Sequence, residues 1–212
     1  MAKVFSNSVF FGASGKIGSV TFVTNSGGTY IRKASRNKSN SAYQTHYRGK
    51  FRFASGLLKE VRAVLKMGFA GTGNWYASGM KHLLAEALET SGTGFSINYA
   101  RLQLSEGKIK APLNAVAVVL ERGIEFGWDC SEKDKNKHKT EAVAVAYFQE
   151  SDVWSFERIE KSKKKLLLRF PSDQEASAQC FLFFYDEGRQ MASSTVYLGE
   201  SKRVEERKVP EC

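Results

Sequence analysis

The hydrophobic period of this chain changes from alternation to helical spacing and then back to alternation. Residues 10–32 hold three spaced glycines and then alternating apolar and polar positions around residues 25–28, Asn-Ser-Gly-Gly. Asn and Gly accept the positive φ angles that tight turns between strands require. The pattern therefore predicts a β-hairpin over residues 10–32, followed by a polar, basic linker over residues 34–40.

Helical spacing follows over residues 41–67, which we predict to form one amphipathic helix. At about 100° per residue its apolar positions share one broad face: Phe51, Ala54, Leu57, Leu58, Val61, Val64 and Leu65. Asn40 or Ser41 can cap the start, and Gly68 is predicted at the C-cap position. A second helix is predicted from Asn74 to about Glu89, with these residues buried: Tyr76, Met80, Leu83, Leu84, Ala87 and Leu88. Residues 95–104 then alternate like a strand.

Alternation returns in the last hundred residues as short apolar runs separated by charged or glycine-containing turns. Seven such runs occur, at residues 115–120, 124–128, 141–149, 152–159, 165–170, 178–185 and 191–198. Regular short strands with turns between them are typical of an antiparallel sandwich.

These patterns divide the chain into four parts. Residues 1–94 are predicted to form a basic N-terminal hairpin plus a helical segment, and residues 95–114 a connecting strand and linker. Residues 115–200 are predicted to form the β-sandwich, and residues 201–212 a charged tail.

The last part resembles a known sandwich. Its second run ends in Trp128, a long loop follows, and a strongly apolar strand at residues 180–185 precedes a turn at Gly188. This arrangement resembles an immunoglobulin or fibronectin type III-like domain. The predicted fold class is α+β: an N-terminal β-hairpin and two helices, followed by a seven-stranded antiparallel sandwich of this kind.

A second resemblance spans nearly the whole chain. In order, it rests on Ser-Gly-Lys-Ile-Gly at residues 14–18, Tyr-Ile-Arg at 30–32, the basic helix, Gly-Phe at 68–69 and Val-Tyr-Leu-Gly at 196–199. This order resembles an uncharacterised Bacteroidetes family of about 200-residue proteins with no assigned function. The resemblance implies a fold outline and a bacterial or phage setting, and it implies no catalytic residues.

Positive charge is concentrated at the N-terminal end, within a formal net charge of +10. Residues 1–70 hold twelve Lys or Arg and one acid, Glu60, whereas the rest of the chain holds 20 basic and 21 acidic residues. Such asymmetry favours an anionic partner for the first third of the chain: nucleic acid, an acidic protein face or a lipid surface.

The first predicted helix carries five cations opposite its apolar face. They fall within about 40° of one line at helical spacing: Arg48, Arg52, Lys59, Arg62 and Lys66. Tyr30, Tyr43 and Tyr47 are near in sequence and can stack or form hydrogen bonds. A solvated face is the alternative, although such faces normally interleave both signs of charge. The candidate polyanion-binding residues are Arg32, Lys33, Arg36, Lys38, Arg48, Arg52, Lys59, Arg62 and Lys66.

Residues 11–18, Phe-Gly-Ala-Ser-Gly-Lys-Ile-Gly, have the glycine spacing of some dinucleotide-binding loops. Such loops need a helix after them, whereas residues 19–24 form a β-branched alternating run. Arg32 and Lys33 stand where a ribose-binding acid is required, and Lys16 is not followed by the Ser or Thr of a P-loop. We therefore expect no bound nucleotide and no other cofactor.

Residues with catalytic or metal-binding chemistry are scattered. The histidines and cysteines lack metal-ligand spacing, and no nucleophile elbow is present. The cysteines are few and far apart, which favours reduced thiols. These residues are His46, His82, His138, Cys130, Cys180 and Cys212. We assign no catalytic and no metal-binding residues, and we expect no small-molecule substrate.

Two functions remain open. The first is a non-enzymatic structural or interaction protein that binds a protein partner or assembles with itself, for example as a component of a phage or mobile-element particle, with the basic segment as an anchor. The second is a nucleic-acid-binding protein that uses the basic helix. The start of the sequence does not resemble a signal peptide and no stretch has the length of a membrane helix, so we expect a cytoplasmic or virion location.

Overall fold

The computed structural model describes residues 2–34, 41–92, 94–129, 140–172 and 177–202. The chain forms two compact units, Met1–Thr45 and His46–Cys212. The division therefore falls well before residue 94, where the sequence patterns placed the first boundary. It does so because the helices share one hydrophobic core with the C-terminal strands.

The N-terminal unit contains a four-stranded antiparallel sheet in the order β1-β4-β3-β2. Its strands are β1 (Ala2–Val4), β2 (Gly15–Ile17), β3 (Val20–Asn25) and β4 (Gly28–Lys33). The predicted hairpin is confirmed, because β3 and β4 pair from Val20 opposite Lys33 to Asn25 opposite Gly28. Gly28 has a φ of 119°, which a side chain would disfavour. Two three-residue strands, too short to show a pattern in the sequence, flank the hairpin.

Two helices stand where one was predicted: α1 (Ala42–Glu60) and α2 (Arg62–Gly68). Ser41 is confirmed as the cap, because its hydroxyl accepts a hydrogen bond from the Gln44 amide at 3.2 Å. Val61 departs from helical geometry with φ −90° and ψ 15°, although its amide still donates to the Leu57 carbonyl. Val61 is buried, so its tertiary packing overrides helical regularity at this joint.

Gly68 is the last residue of α2 rather than its C-cap, which is Phe69. A Cβ atom at Gly68 would overlap the Leu104 carbonyl oxygen. Close packing of two backbone segments therefore requires glycine here, and a left-handed φ does not. The Glu106 amide donates to the Gly68 carbonyl at 3.0 Å and holds the two segments together.

The second predicted helix begins as expected and changes from α-helical to π-helical geometry at Leu83, ending at Ala87 rather than at about Glu89. The elements are α3 (Trp75–His82), a π-helical segment (Leu83–Ala87), β5 (Leu88–Ser91) and β6 (Gly94–Ile97). The Asn74 side chain caps α3 by accepting a hydrogen bond from the Ala77 amide. Leu88 is not helical, because it pairs with Ile97 in the β5–β6 hairpin. The strand predicted over residues 95–104 accordingly ends at Ile97, and residues 99–101 form a single 3₁₀ turn.

The described residues from 113 to 202 form eight strands, in two sheets. They are β7 (Leu113–Leu120), β8 (Gly123–Asp129), β9 (Thr140–Phe148), β10 (Val153–Glu160), β11 (Lys165–Arg169), β12 (Ser177–Asp186), β13 (Met191–Ala192) and β14 (Val196–Lys202). One sheet has the order β10-β9-β12-β13, with β14 also paired to β12, and the other has the order β11-β8-β7. Each predicted run contains a strand, but the last run is divided between β13 and β14, so the described residues form eight strands rather than seven.

Strands β9 and β12 are covered on both faces. Toward the helices they present Val143, Val145, Phe181, Phe183 and Tyr185. Toward the three-stranded sheet they present Ala142, Ala144, Cys180, Leu182 and Phe184, which pack with Ile124, Phe126 and Trp128. The second unit therefore stacks three layers: the helices, the five-stranded sheet and the three-stranded sheet. This arrangement leaves the solvent side of α1 available as a functional surface.

Candidate nucleic-acid interface

Three of the candidate cations lie together on α1. Arg48, Arg52 and Lys59 line a shallow surface groove of about 500 Å³, together with Tyr47 and Phe51. Residues four and seven positions apart share one side of a helix, so this grouping follows directly from the spacing of the three cations. We call this site the basic groove.

The basic groove holds exposed aromatic rings. Tyr47 is 52% exposed and Phe51 is 44% exposed. The exposure of Phe51 corrects the sequence prediction, which placed this ring on the buried face. No residue of α1 before Ala54 is buried, so the helical periodicity continues beyond the point where the core ends. The position of Phe51 between Lys50 and Arg52 was the only sequence signal for its exposure.

The cations of the basic groove have no acidic partners among the residues that the structure describes. In that part of the chain, the ion pairs within 4.0 Å involve other basic residues, such as Arg158 with Glu141 and Lys165 with Glu125. These three cations are therefore not held in ion pairs with described residues, and their exposed side chains can be reached by an anionic ligand.

The two remaining cations of the predicted stripe lie on α2. Arg62 and Lys66 are both exposed, and neither lines the basic groove. The Arg62 guanidinium lies 5.8 Å from the centre of the Trp75 ring, a cation–π contact within the protein. These two exposed cations follow those of the basic groove in the sequence, across the break at Val61.

The N-terminal candidates do not form a single surface. Arg32 and Lys33 are both exposed at the end of β4. Successive residues of a strand point to opposite faces of the sheet, so one ligand cannot contact both side chains from one side. Arg36 and Lys38 lie outside the described residues.

The remaining candidates for catalytic or metal-binding chemistry are the histidines and cysteines, of which His46, His82 and Cys180 lie in the described part of the chain. No group of three His, Cys, Asp or Glu side chains there is placed to hold a metal ion. Burial raises the pKa of the Cys180 thiol to about 11, so this cysteine is a protonated core residue. His138, Cys130 and Cys212 lie outside the described residues. No described helix has the length and apolar character needed to cross a membrane.

The glycine-rich segment at residues 11–18 also differs from a phosphate-binding loop. Gly15–Ile17 is strand β2, and a turn at residues 18–19 leads directly into strand β3. The predicted strand after the glycines is thus confirmed. Without a following helix, the segment lacks the aligned amides and dipole that bind a pyrophosphate.

Comparison with known proteins gives a family without an assigned activity. A search of curated proteins found no match. Residues 12–199 match the description "Family of unknown function (DUF6266)". The match covers the hairpin, the helices and all but the end of the last strand, so the chain belongs to the DUF6266 family.

Proposed function

We propose that this chain is a non-enzymatic interaction protein that binds a nucleic-acid strand along α1. The observation that carries the proposal is the basic groove, in which Tyr47 and Phe51 lie among Arg48, Arg52 and Lys59. Cations attract phosphates, and exposed rings stack on bases. Proteins that bind single strands combine the two in one groove.

The dimensions favour a single strand. The rise along α1 from Arg48 to Lys59 is about 16.5 Å at 1.5 Å per residue. That length accommodates several nucleotides. Bases within a duplex already stack on one another, so exposed rings add little to duplex binding and much more to binding of an unpaired strand.

The proposal is tested by titrating the protein into a fluorescein-labelled, mixed-sequence single-stranded oligonucleotide and following its anisotropy at several salt concentrations. Three phosphate contacts predict a slope of about −2 in a plot of log affinity against log salt. Replacing Arg48, Arg52 and Lys59 with Gln should abolish most of the binding and flatten that slope. Replacing Tyr47 and Phe51 with Leu should weaken binding while leaving the slope unchanged, because rings contribute stacking rather than charge.

The matched control removes the same amount of charge from elsewhere on the second unit. Lys81, Arg122 and Lys163 are exposed and lie away from the basic groove. If their replacement with Gln weakens binding as much as the groove variant does, net charge rather than the groove causes the affinity, and the proposal fails. The proposal also fails if the unaltered protein does not bind at low salt.

A second candidate function rests on the outer face of the three-stranded sheet. Val116, Val118 and Leu120 of β7 and Leu167 of β11 are exposed there. An apolar sheet face of this kind favours a protein partner or self-assembly, as in a fibronectin type III-like component of a bacterial or phage particle. Light scattering after size-exclusion chromatography should then find a complex that persists at high salt. A monomer at every salt concentration and protein concentration would remove self-assembly through this face.

A further inference from the structure

A second groove lies beside α1 and has walls of different chemistry. It has a volume of about 530 Å³ and is bordered by α1, by residues 96–99 and by the end of the β9–β10 hairpin. Six of its lining residues are aromatic or acidic: Phe53, Glu60, Tyr99, Tyr147, Asp152 and Trp154. We call it the aromatic–carboxylate groove.

Three of its four rings, those of Tyr99, Tyr147 and Trp154, form one continuous wall. Tyr147 of β9 stands opposite Trp154 of β10 in the strand register, and their ring centres are 4.8 Å apart. The Tyr99 ring stacks on the other side of Tyr147 at 5.3 Å. Tyr147 lies between the other two rings, and Trp154 also stacks on Phe181 at 6.1 Å. The wall therefore offers apolar ring surface to the alkyl groups of a ligand rather than open ring faces to its charge.

Two carboxylates lie at the same wall. The Tyr147 hydroxyl donates to Asp152 Oδ1 at 2.7 Å, which fixes one carboxylate beside the rings. Glu60 is the last residue of α1, and burial raises its pKa, with the nearby Asp152 charge as the second cause. Within the described part of the chain, no basic side chain lies within 4.0 Å of either carboxylate, and Arg52 lines the groove without pairing with them.

We propose that the aromatic–carboxylate groove binds an organic cation, namely an ammonium group with alkyl substituents. The rings contact the alkyl groups, and the two carboxylates neutralise the charge. An inorganic divalent ion fits poorly, because it requires more oxygen ligands than two carboxylates supply, and the described residues contain no larger cluster. The two grooves share only Arg52 and Gly56 among their described lining residues. Among those residues, the basic groove contains no carboxylate, whereas the aromatic–carboxylate groove contains two.

The test is an NMR titration of the full chain with choline chloride, followed at the indole N–H signal of Trp154. Trp154 lines the groove and its ring contacts Tyr147, so its indole signal is sensitive to a ligand bound there. Trp154→Phe assigns the signal among the three tryptophans. The comparison ligand is 3,3-dimethylbutan-1-ol, which has the shape of choline without its charge, and sodium chloride controls for ionic strength.

Choline should shift the Trp154 signal in a saturable way, with an affinity about tenfold or more above that of the neutral alcohol. Binding should weaken as the pH falls, because burial raises the pKa of Glu60 and this carboxylate therefore loses its charge at a higher pH than an exposed glutamate does. Asp152→Asn and Glu60→Gln should each weaken choline binding severalfold. Asn suits position 152, where φ is 55°, because it tolerates a left-handed conformation and can still accept the Tyr147 hydrogen bond.

Glu157→Gln is the matched control. Glu157 is exposed on the same strand as Trp154, and the odd separation places it on the opposite face of the sheet. Its replacement should leave choline binding unchanged, and Arg52→Gln should strengthen it by removing a like charge. Equal affinity for choline and the alcohol, or equal loss in Glu157→Gln and Asp152→Asn, would overturn the proposal, as would the absence of any saturable shift.

A further titration distinguishes the source of the ammonium group. N-acetyl trimethyllysine amide presents the same cation on a peptide unit. If it binds more tightly than choline, a protein side chain is the ligand, and if it binds more weakly, a free amine is the ligand. Both results support the cation site.

Discussion

Strands β7 and β12 have similar sequence patterns and different surroundings. Residues 115–120 of β7 and 180–185 of β12 are both uninterrupted apolar runs. Residues 178–186 of β12 are all buried, because helices cover one face and the three-stranded sheet covers the other. In β7 only one side packs inward, and Val116 and Val118 on the other side are 54% and 51% exposed.

The difference matters because an uninterrupted apolar run is the pattern of a strand with two covered faces. A strand with one solvated face normally alternates with polar residues. In this chain β12 has an uninterrupted apolar run and two covered faces, as expected. β7 has the same pattern while its outer face remains uncovered, and this mismatch is the physical basis for the protein-partner candidate. Mutations in the two strands test whether β12 is covered on both faces and β7 on only one.

The largest effect is expected in β12. Phe183→Ala removes a fully buried ring that packs against the helices, and should lower the free energy of unfolding by about 3–5 kcal/mol. Urea unfolding followed by circular dichroism measures the change. Leu120→Ala on the exposed face of β7 is the matched control and should cost no more than about 1 kcal/mol. Similar losses in both variants would mean that the outer face of β7 is covered in solution.

The same comparison shows which parts of the fold the sequence predicts. Local patterns located the β3–β4 hairpin, the Ser41 cap, the start of α3 and a strand in every C-terminal run. The layer order depends on which face of a continuous apolar run meets which neighbour, and periodicity carries no information about that choice. For this reason the pattern separated the helices from the sandwich, although Leu58 and Phe181 belong to one core.

The candidate sites were predictable to different degrees. The basic groove follows from the spacing of Arg48, Arg52 and Lys59, because local helix geometry alone brings these side chains together. The aromatic–carboxylate groove joins Glu60 to Asp152, which are far apart in sequence. Its formation depends on packing between α1 and the β9–β10 hairpin, a tertiary contact that no local pattern encodes.

A smaller effect is expected from the thiol of β12. Burial raises the pKa of Cys180 from 9.0 to about 11, so the folded protein keeps a proton that the unfolded chain loses at lower pH. This term leaves the free energy of unfolding unchanged below about pH 8, and lowers it by about 2–3 kcal/mol as the pH rises to 11. Urea unfolding of the protein and of Cys180→Ala across this range isolates the effect. Parallel pH profiles would show that the thiol is solvated and that this part of β12 is not covered on both faces.

The smallest effects are expected from two neighbours on β7. Val118 points outward, whereas Val119 packs with the core between the two sheets. Val119→Thr places a hydroxyl against apolar side chains and should cost about 1–3 kcal/mol, while Val118→Thr should change stability by less than about 0.5 kcal/mol. Both substitutions keep a β-branched side chain, so strand propensity does not differ between them.

If the outer face binds a partner, Val118→Thr should still weaken that association in size-exclusion chromatography with light scattering, because the hydroxyl is then buried at the interface. Equal stability losses for the two variants would contradict the assignment of Val118 to an exposed face.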